Sequence, residues 1–183
     1  MISKTALDDY LNRAVRDHRA LKKLAELEID RRLAKLDPPP RFQPKPRLHQ
    51  KVCVYLGVRY PQFLYYPDMG TGKTKIALDL IRHWRTIEQA KRPLVLVPNV
   101  HNIHNWLKQR DDHTPALRMV PLFGSSRERW ETLSRKQLVC YVLNYAGLVA
   151  LVTRHGKNKR DKKVMVIDEA RMRELVGLFD MLV

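Results

Sequence analysis

Apolar residues recur at three- and four-residue steps through the first 36 positions: Leu7, Leu11, Ala14 and Val15, then Leu21, Leu24 and Ala25, then Ile29, Leu33 and Leu36. That is the helical period. Neither proline nor glycine interrupts it, and charged residues fill the opposite face. The stretch from about Ser3 to Leu36 therefore reads as one long amphipathic helix or a helical pair. Its apolar seam drifts and sustains no strict heptad, which suits a helix lying on its own domain, or a solvated arm, better than a coiled coil. Asp37-Pro38-Pro39-Pro40 ends it. Prolines at 38, 39, 40, 44 and 46 predict an extended, semi-rigid linker; a proline-rich ligand for a partner domain is the rarer use of such a segment.

From Leu48 the pattern alternates between helical and strand-like segments. Leu48 to Leu56 suits a short helix, and Phe63-Leu64-Tyr65-Tyr66 a buried strand before a glycine turn. Lys73 to Glu88 has helical spacing at Ile76, Leu80, Ile81 and Trp84, and Pro93 to Val97 is a strand closed by Pro98. Further helices are expected over Val100 to Gln109, over Arg127 to Leu133 and from about Tyr145. Further strands are expected over Met119 to Phe123, Gln137 to Leu143 and Val164 to Ile167. Near-continuous apolar strands bounded by helices predict an α/β fold with a central, mainly parallel sheet flanked by helices.

Composition supports a core and adds a class of partner. Hydrophobic residues make up 44% of the 183 positions, ordinary for a globular chain. Lysine and arginine number 35 against 19 aspartates and glutamates, a net charge of +16. Such an excess draws polyanions by releasing counterions condensed on a phosphate backbone; solubility alone is the blander reading. Cys53 and Cys140 lie in apolar stretches without a second cysteine at metal spacing, so free thiols in a reducing compartment are expected. Asp8, Asp9 and Arg13 interrupt any signal-peptide core. No apolar run approaches the ~20 residues that span a bilayer. A soluble, intracellular (cytoplasmic) protein without a membrane partner is expected.

The candidate chemistry sits in two places. Pro67-Asp68-Met69-Gly70-Thr71-Gly72-Lys73-Thr74 follows an expected strand and opens an expected helix, the context a phosphate loop requires. Gly70 and Gly72 let the backbone fold around phosphates and aim its N–H groups inward, with Thr71 between them. The helix beginning near Lys73 adds its positive end. Lys73 reaches the β- and γ-phosphates, and the Thr74 hydroxyl is placed for Mg²⁺. The strict pattern has glycine where Pro67 stands. The second place is Val164-Met165-Val166-Ile167-Asp168-Glu169, an apolar run ending in two carboxylates. At the carboxyl end of a parallel strand, Asp168 would face the ligand crevice and hold Mg²⁺, and Glu169 would orient or deprotonate an attacking water. The expected cofactors are ATP and Mg²⁺.

Asp-Met-Gly-Thr-Gly-Lys-Thr (68–74) and Val-Ile-Asp-Glu-Ala (166–170) resemble motifs I and II of superfamily 2 helicases and translocases. The closest flavour is the chromatin-remodeler-type, DEAD/DEAH-like ATPases, including versions common in phage genomes. In that family the first glycine of the loop is often missing. Arg47-Leu48-His49-Gln50 resembles the segment that reads adenine, which assigns base binding to Gln50. Leu94 to Pro98 with Asn105-Trp106 resembles motif Ia and the Asn-Trp after it. Leu122 to Arg127 resembles the strand and glycine turn that follow, and Asn144 to Leu148 resembles motif Ib, near the nucleic-acid backbone. The resemblance implies a RecA-like ATP-binding lobe over 47–183, after a helical extension over 1–37 and a linker over 38–46. It implies an ATP hydrolase acting on nucleic acid, duplex DNA foremost. Two departures limit it. Arg171 stands where the family has His or Asp, and motif III is not recognisable in Met172 to Val183. The second RecA-like lobe, with its arginine fingers, is not in the sequence. Arginine in trans can supply on the order of a thousandfold in rate, so this chain alone is expected to be weakly active or inactive until a second lobe or protein partner completes it.

The alternative is a non-catalytic nucleic-acid-binding or regulatory protein that keeps ATP binding. An unrelated phosphate-loop enzyme, such as a small kinase, would need an acceptor site and lid that the sequence does not offer. His101 and His104 share a helix face but lack a third ligand, so they read as surface or packed residues. The basic run 157–163 suits phosphate contacts and a solvated loop equally. Trp84, Trp106, Trp130, Tyr65 and Tyr66 read as core.

Overall fold

A computed structural model describes residues 4–62, 68–157 and 163–183. The expected strand with Tyr65 and Tyr66, Pro67, and the middle of the basic run lie outside them. The chain forms two compact units, Met1–Ile87 and Glu88–Val183.

In the first unit the apolar seam is a helical pair, α1 (Lys4–Leu21) and α2 (Glu26–Ala34), followed by α3 (Leu48–Arg59) and α4 (Lys73–Thr86). Ala14, Leu21, Ile29 and Leu33 pack against Val52, Tyr55, Leu56 and Tyr60, while Leu7, Leu11 and Val15 of the same seam stay exposed. Burying each large aliphatic side chain contributes roughly 1.5–3 kcal/mol. On its other side α3 meets α4 through Val54, Ile76 and Leu80. Gly57 makes that approach possible, because a Cβ there would lie 2.6 Å from a Leu80 methyl. Polar groups join the packing. Lys51 is buried and its Nζ donates to Glu26 at 2.7 Å and to Asp30 at 2.5 Å. Asp79, buried in α4, accepts from Lys75 and Arg82, each at 2.7 Å, and Arg82 also donates to the Arg41 carbonyl.

His83 is buried beside Trp84, ring edge to ring face at 5.5 Å. Burial pushes its imidazole below the ordinary value of 6.5. The unfolded chain therefore takes up a proton that the folded chain refuses. This contribution to stability is complete above pH 6.5 and is lost as pH falls toward the lowered folded value. Urea midpoints are expected to decline from pH 7 to pH 5, and His83→Leu to flatten the decline; an identical slope in the variant would contradict this.

The second unit is the expected α/β structure. A four-stranded parallel sheet has the order β2 (Met119–Pro121), β3 (Cys140–Asn144), β1 (Pro93–Val97), β6 (Met181–Leu182). Its helices are α5 (Val100–His113), α6 (Ser126–Ser134), α7 (Tyr145–Val152) and α8 (Glu169–Gly177). All five residues of β3 are buried. The core gathers Leu94, Leu122, Leu133, Tyr141, Leu143, Leu151 and Leu175, with Trp130 and Met172 against it. Trp84 likewise packs on the α3–α4 core, and Trp106 is half-buried. Asp180 leads into β6 by accepting from the Lys91 and Arg92 N–H groups at 2.7 and 2.9 Å.

One strand departs from expectation. Val164 to Ile167 does form a strand, β5 (Lys163–Ile167), but outside the parallel sheet. It pairs antiparallel with β4 (Thr153–Lys157), from Thr153 opposite Ile167 to Lys157 opposite Lys163. Two strands so near in sequence pair with little loop-closure entropy. Burial alternates along β5: Val164 and Val166 are half-buried, while Met165 and Ile167 are exposed. That is a ribbon covered on one face, not a strand covered on both. The inference that Asp168 ends a parallel strand is corrected accordingly: it ends an antiparallel one. Among the described residues, no helix is long and apolar enough to cross a membrane.

Candidate nucleotide site

The phosphate loop belongs to the first unit. Gly72 caps α4 in the left-handed conformation, φ 80° and ψ 42°, and Gly70 has φ 77°. L-residues pay about 1–2 kcal/mol for that region. At Gly72 a Cβ would also run into the Gln50 amide nitrogen, whereas at Gly70 it would meet nothing within 4 Å. Gly72 supplies no side-chain cap to α4. Asn99, Ser125, Asn144 and Asp168 each do so for the helices they precede. A helix start of this kind suits an anion. Lys73 is exposed and its Nζ donates to the Asp68 carbonyl at 3.0 Å. The Thr71 hydroxyl donates to the same oxygen at 2.7 Å, and Thr74 is half-buried in the first turn.

Gln50 is drawn to this loop. Its Nε2 donates to the Thr71 carbonyl at 3.0 Å, and its Oε1 accepts the Arg47 N–H at 2.9 Å. His49 Nε2 lies 2.9 Å from the same Thr71 oxygen; a carbonyl only accepts, so this nitrogen carries the proton. The start of α3 is thus fastened twice to the loop. Both ends of the Gln50 amide serve backbone groups here, so reading a base would share its donor or acceptor with them. The sequence reading missed His49; its only signal was adjacency to Gln50.

The acidic pair belongs to the second unit. Asp168 caps α8, accepting the Arg171 N–H at 3.2 Å, and its own N–H donates to the Val152 carbonyl at 2.7 Å. Arg154 and Arg171 stand 3.8 and 3.9 Å from its Oδ2. Glu169 is exposed and paired with Arg173 at 3.0 Å.

The loops that follow β1, β2 and β3 lie at one edge of the parallel sheet. Asn99 caps α5 through the Asn102 N–H at 3.0 Å. Gly124, with φ 85°, precedes Ser125, which shares a reciprocal cap with Glu128. The Ser125 backbone N–H and hydroxyl hold the Glu128 carboxyl below its usual range. Asn144 caps α7 through the Gly147 N–H at 3.2 Å, leaving Tyr145 exposed. Phe123 stacks on His104 with ring centres 5.4 Å apart.

A family model described as SNF2-related domain matches residues 63–174. Two relatives come from Saccharomyces cerevisiae. The "ISWI chromatin-remodeling complex ATPase ISW1" is 30% identical over 105 residues, which is 56% of this chain and 9% of that protein. The "ATP-dependent helicase FUN30" is 31% identical over 103 residues, 49% of this chain and again 9% of the relative. The chain therefore spans only a small part of either relative's length. The family match takes in both the phosphate loop and the acidic pair.

Proposed function

The chain belongs to the SNF2-related domain family, and from that premise we propose that it is the ATP-binding lobe of a DNA-dependent translocase or helicase. The observation that carries the reading is the glycine-capped start of α4, with Gly72 in a conformation and a space that disfavour any side chain and Lys73 directly after it. Gly70, Thr71 and Gly72 would wrap the phosphates, and Lys73 would neutralise their charge. Gln50 would sit at the base while holding the loop. Thr74 and Asp168 would hold Mg²⁺, and Glu169 would orient or deprotonate water. When bound, the metal supplies charge neutralisation on the β- and γ-phosphate oxygens. The donors fit a hard cation, since a hydroxyl and a carboxylate are oxygen ligands. Among the described residues no three His, Cys, Asp or Glu side chains are grouped to hold a metal.

Duplex DNA is the proposed partner. Its support is the net charge of +16, the similarity to a chromatin-remodeling complex ATPase and an ATP-dependent helicase, and the loops gathered at one sheet edge, with Tyr145 and Phe123 exposed there. A second RecA-like lobe, in the same protein or another, would complete the engine. A lobe that binds ATP without hydrolysing it is the second reading, favoured by the two guanidiniums beside Asp168.

The test is ATP binding and phosphate release with Mg²⁺, with and without duplex DNA. Saturable ATP binding with release stimulated by DNA is expected of the motor reading. Binding without release, together with DNA affinity indifferent to nucleotide, would leave the regulatory reading. A folded chain that binds no ATP would overturn both.

A further inference from the structure

Asp168 divides its two oxygens between different tasks. Oδ1 accepts the Arg171 N–H and so caps α8. Oδ2, the oxygen that capping leaves over, faces the Arg154 Nε at 3.8 Å and the Arg171 Nε at 3.9 Å. The guanidiniums arrive from different elements. Arg171 lies three residues into the helix that Asp168 caps. Arg154 lies on β4, in register with Val166, two residues before Asp168. The Asp168 N–H donates to the Val152 carbonyl, which fastens the end of β5 beside the start of β4. Two backbone constraints therefore hold both positive charges at the same carboxylate oxygen. Asp168 is itself mostly covered, its side chain 21% exposed, against 63% for Arg154 and 47% for Arg171.

From this geometry we propose that Arg154 and Arg171 compete with a divalent cation for Asp168, making this chain bind its metal weakly. The proposal rests on Asp168 being a metal ligand, as read above. A cation approaching Oδ2 meets two positive charges within 4 Å of that oxygen, and their repulsion opposes its binding. Both arginines are well exposed to solvent, so each acts through a screened field, and removing one is worth about threefold in affinity. Two screened charges whose fields sum at the oxygen give roughly tenfold when both are removed.

The test is a titration of the folded chain with Mn²⁺ in the absence of nucleotide, read by electron paramagnetic resonance. Arg154→Gln and Arg171→Gln are each expected to tighten Mn²⁺ binding about threefold, and the double variant about tenfold, while Arg171→Lys, which keeps the charge, stays within about twofold. Asp168→Asn is expected to weaken it in every background. If Asp168→Asn weakens binding and the arginine variants match the parent or bind more weakly, the competition is overturned and the ligand reading stands. If Asp168→Asn changes nothing, Asp168 is not a ligand and both fall. Thermal melts show which variants are folded; should a glutamine variant be unfolded, Arg154→Met and Arg171→Met carry the same expectation.

Discussion

Lys73→Ala is expected to weaken ATP binding at least tenfold or so, and to cut any phosphate release by about a hundredfold or more. Lys73 is exposed and its ammonium donates to the Asp68 carbonyl across the loop, so its loss should leave the melting temperature almost unchanged. An effect on nucleotide without an effect on stability separates a phosphate-binding lysine from a structural one. Gly72→Ala attacks the same site from the backbone. It forces an L-residue into the left-handed conformation, at about 1–2 kcal/mol, and drives a methyl into the Gln50 amide. It should weaken ATP binding while keeping the lysine, and should lower stability as well. Calorimetric titration with ATP beside thermal melting checks both variants. Wild-type affinity in Lys73→Ala would remove the phosphate loop from the proposed site.

Asp79→Ala should give the largest loss of stability, roughly 3–5 kcal/mol. The carboxylate is buried in α4 between Lys75, itself buried, and Arg82. Removing it leaves one buried ammonium without this carboxylate and takes the Asp79 ion pair from Arg82. Replacing the pair with apolar residues, as in Lys75→Met with Asp79→Leu, should recover most of the loss, because the penalty comes from the uncompensated charge and not from the absence of the bond. Urea denaturation of the single and double variants gives the comparison. A loss below about 1 kcal/mol in Asp79→Ala would mean that water reaches Lys75 readily. The same helix begins with Lys73 and Thr74, so an unfolded α4 also takes the phosphate loop with it.

The N-terminal seam was legible because Ala14, Leu21, Ile29 and Leu33 recur at helical spacing and all four are buried. The parallel core was legible because Pro93 to Val97 and Val139 to Leu143 are apolar without a break, which marks strands covered on both faces. The start of α4 was legible to the residue, since a Gly-Lys-Thr sequence after a turn states its own backbone requirement. The Ser125 cap with Glu128 three residues on is a local device that the sequence analysis did not pick out.

The partners of those elements were decided elsewhere. The sequence determined that Val164 to Ile167 is a strand, but a wholly apolar run carries no alternation to say which face is buried or which neighbour it joins. The tertiary structure paired it with Thr153–Lys157 and set Arg154 beside Asp168. Buried Lys51 reads as a surface charge in a linear pattern, and became interior only because Glu26 and Asp30, on a different helix, meet it. Gln50 could be assigned to a base by resemblance, yet its bond to Thr71 spans twenty-one residues. Periodicity and turn chemistry act within a few residues and are written locally. Strand pairing, charge burial and loop support depend on which distant segments the fold brings together, and no local pattern encodes that.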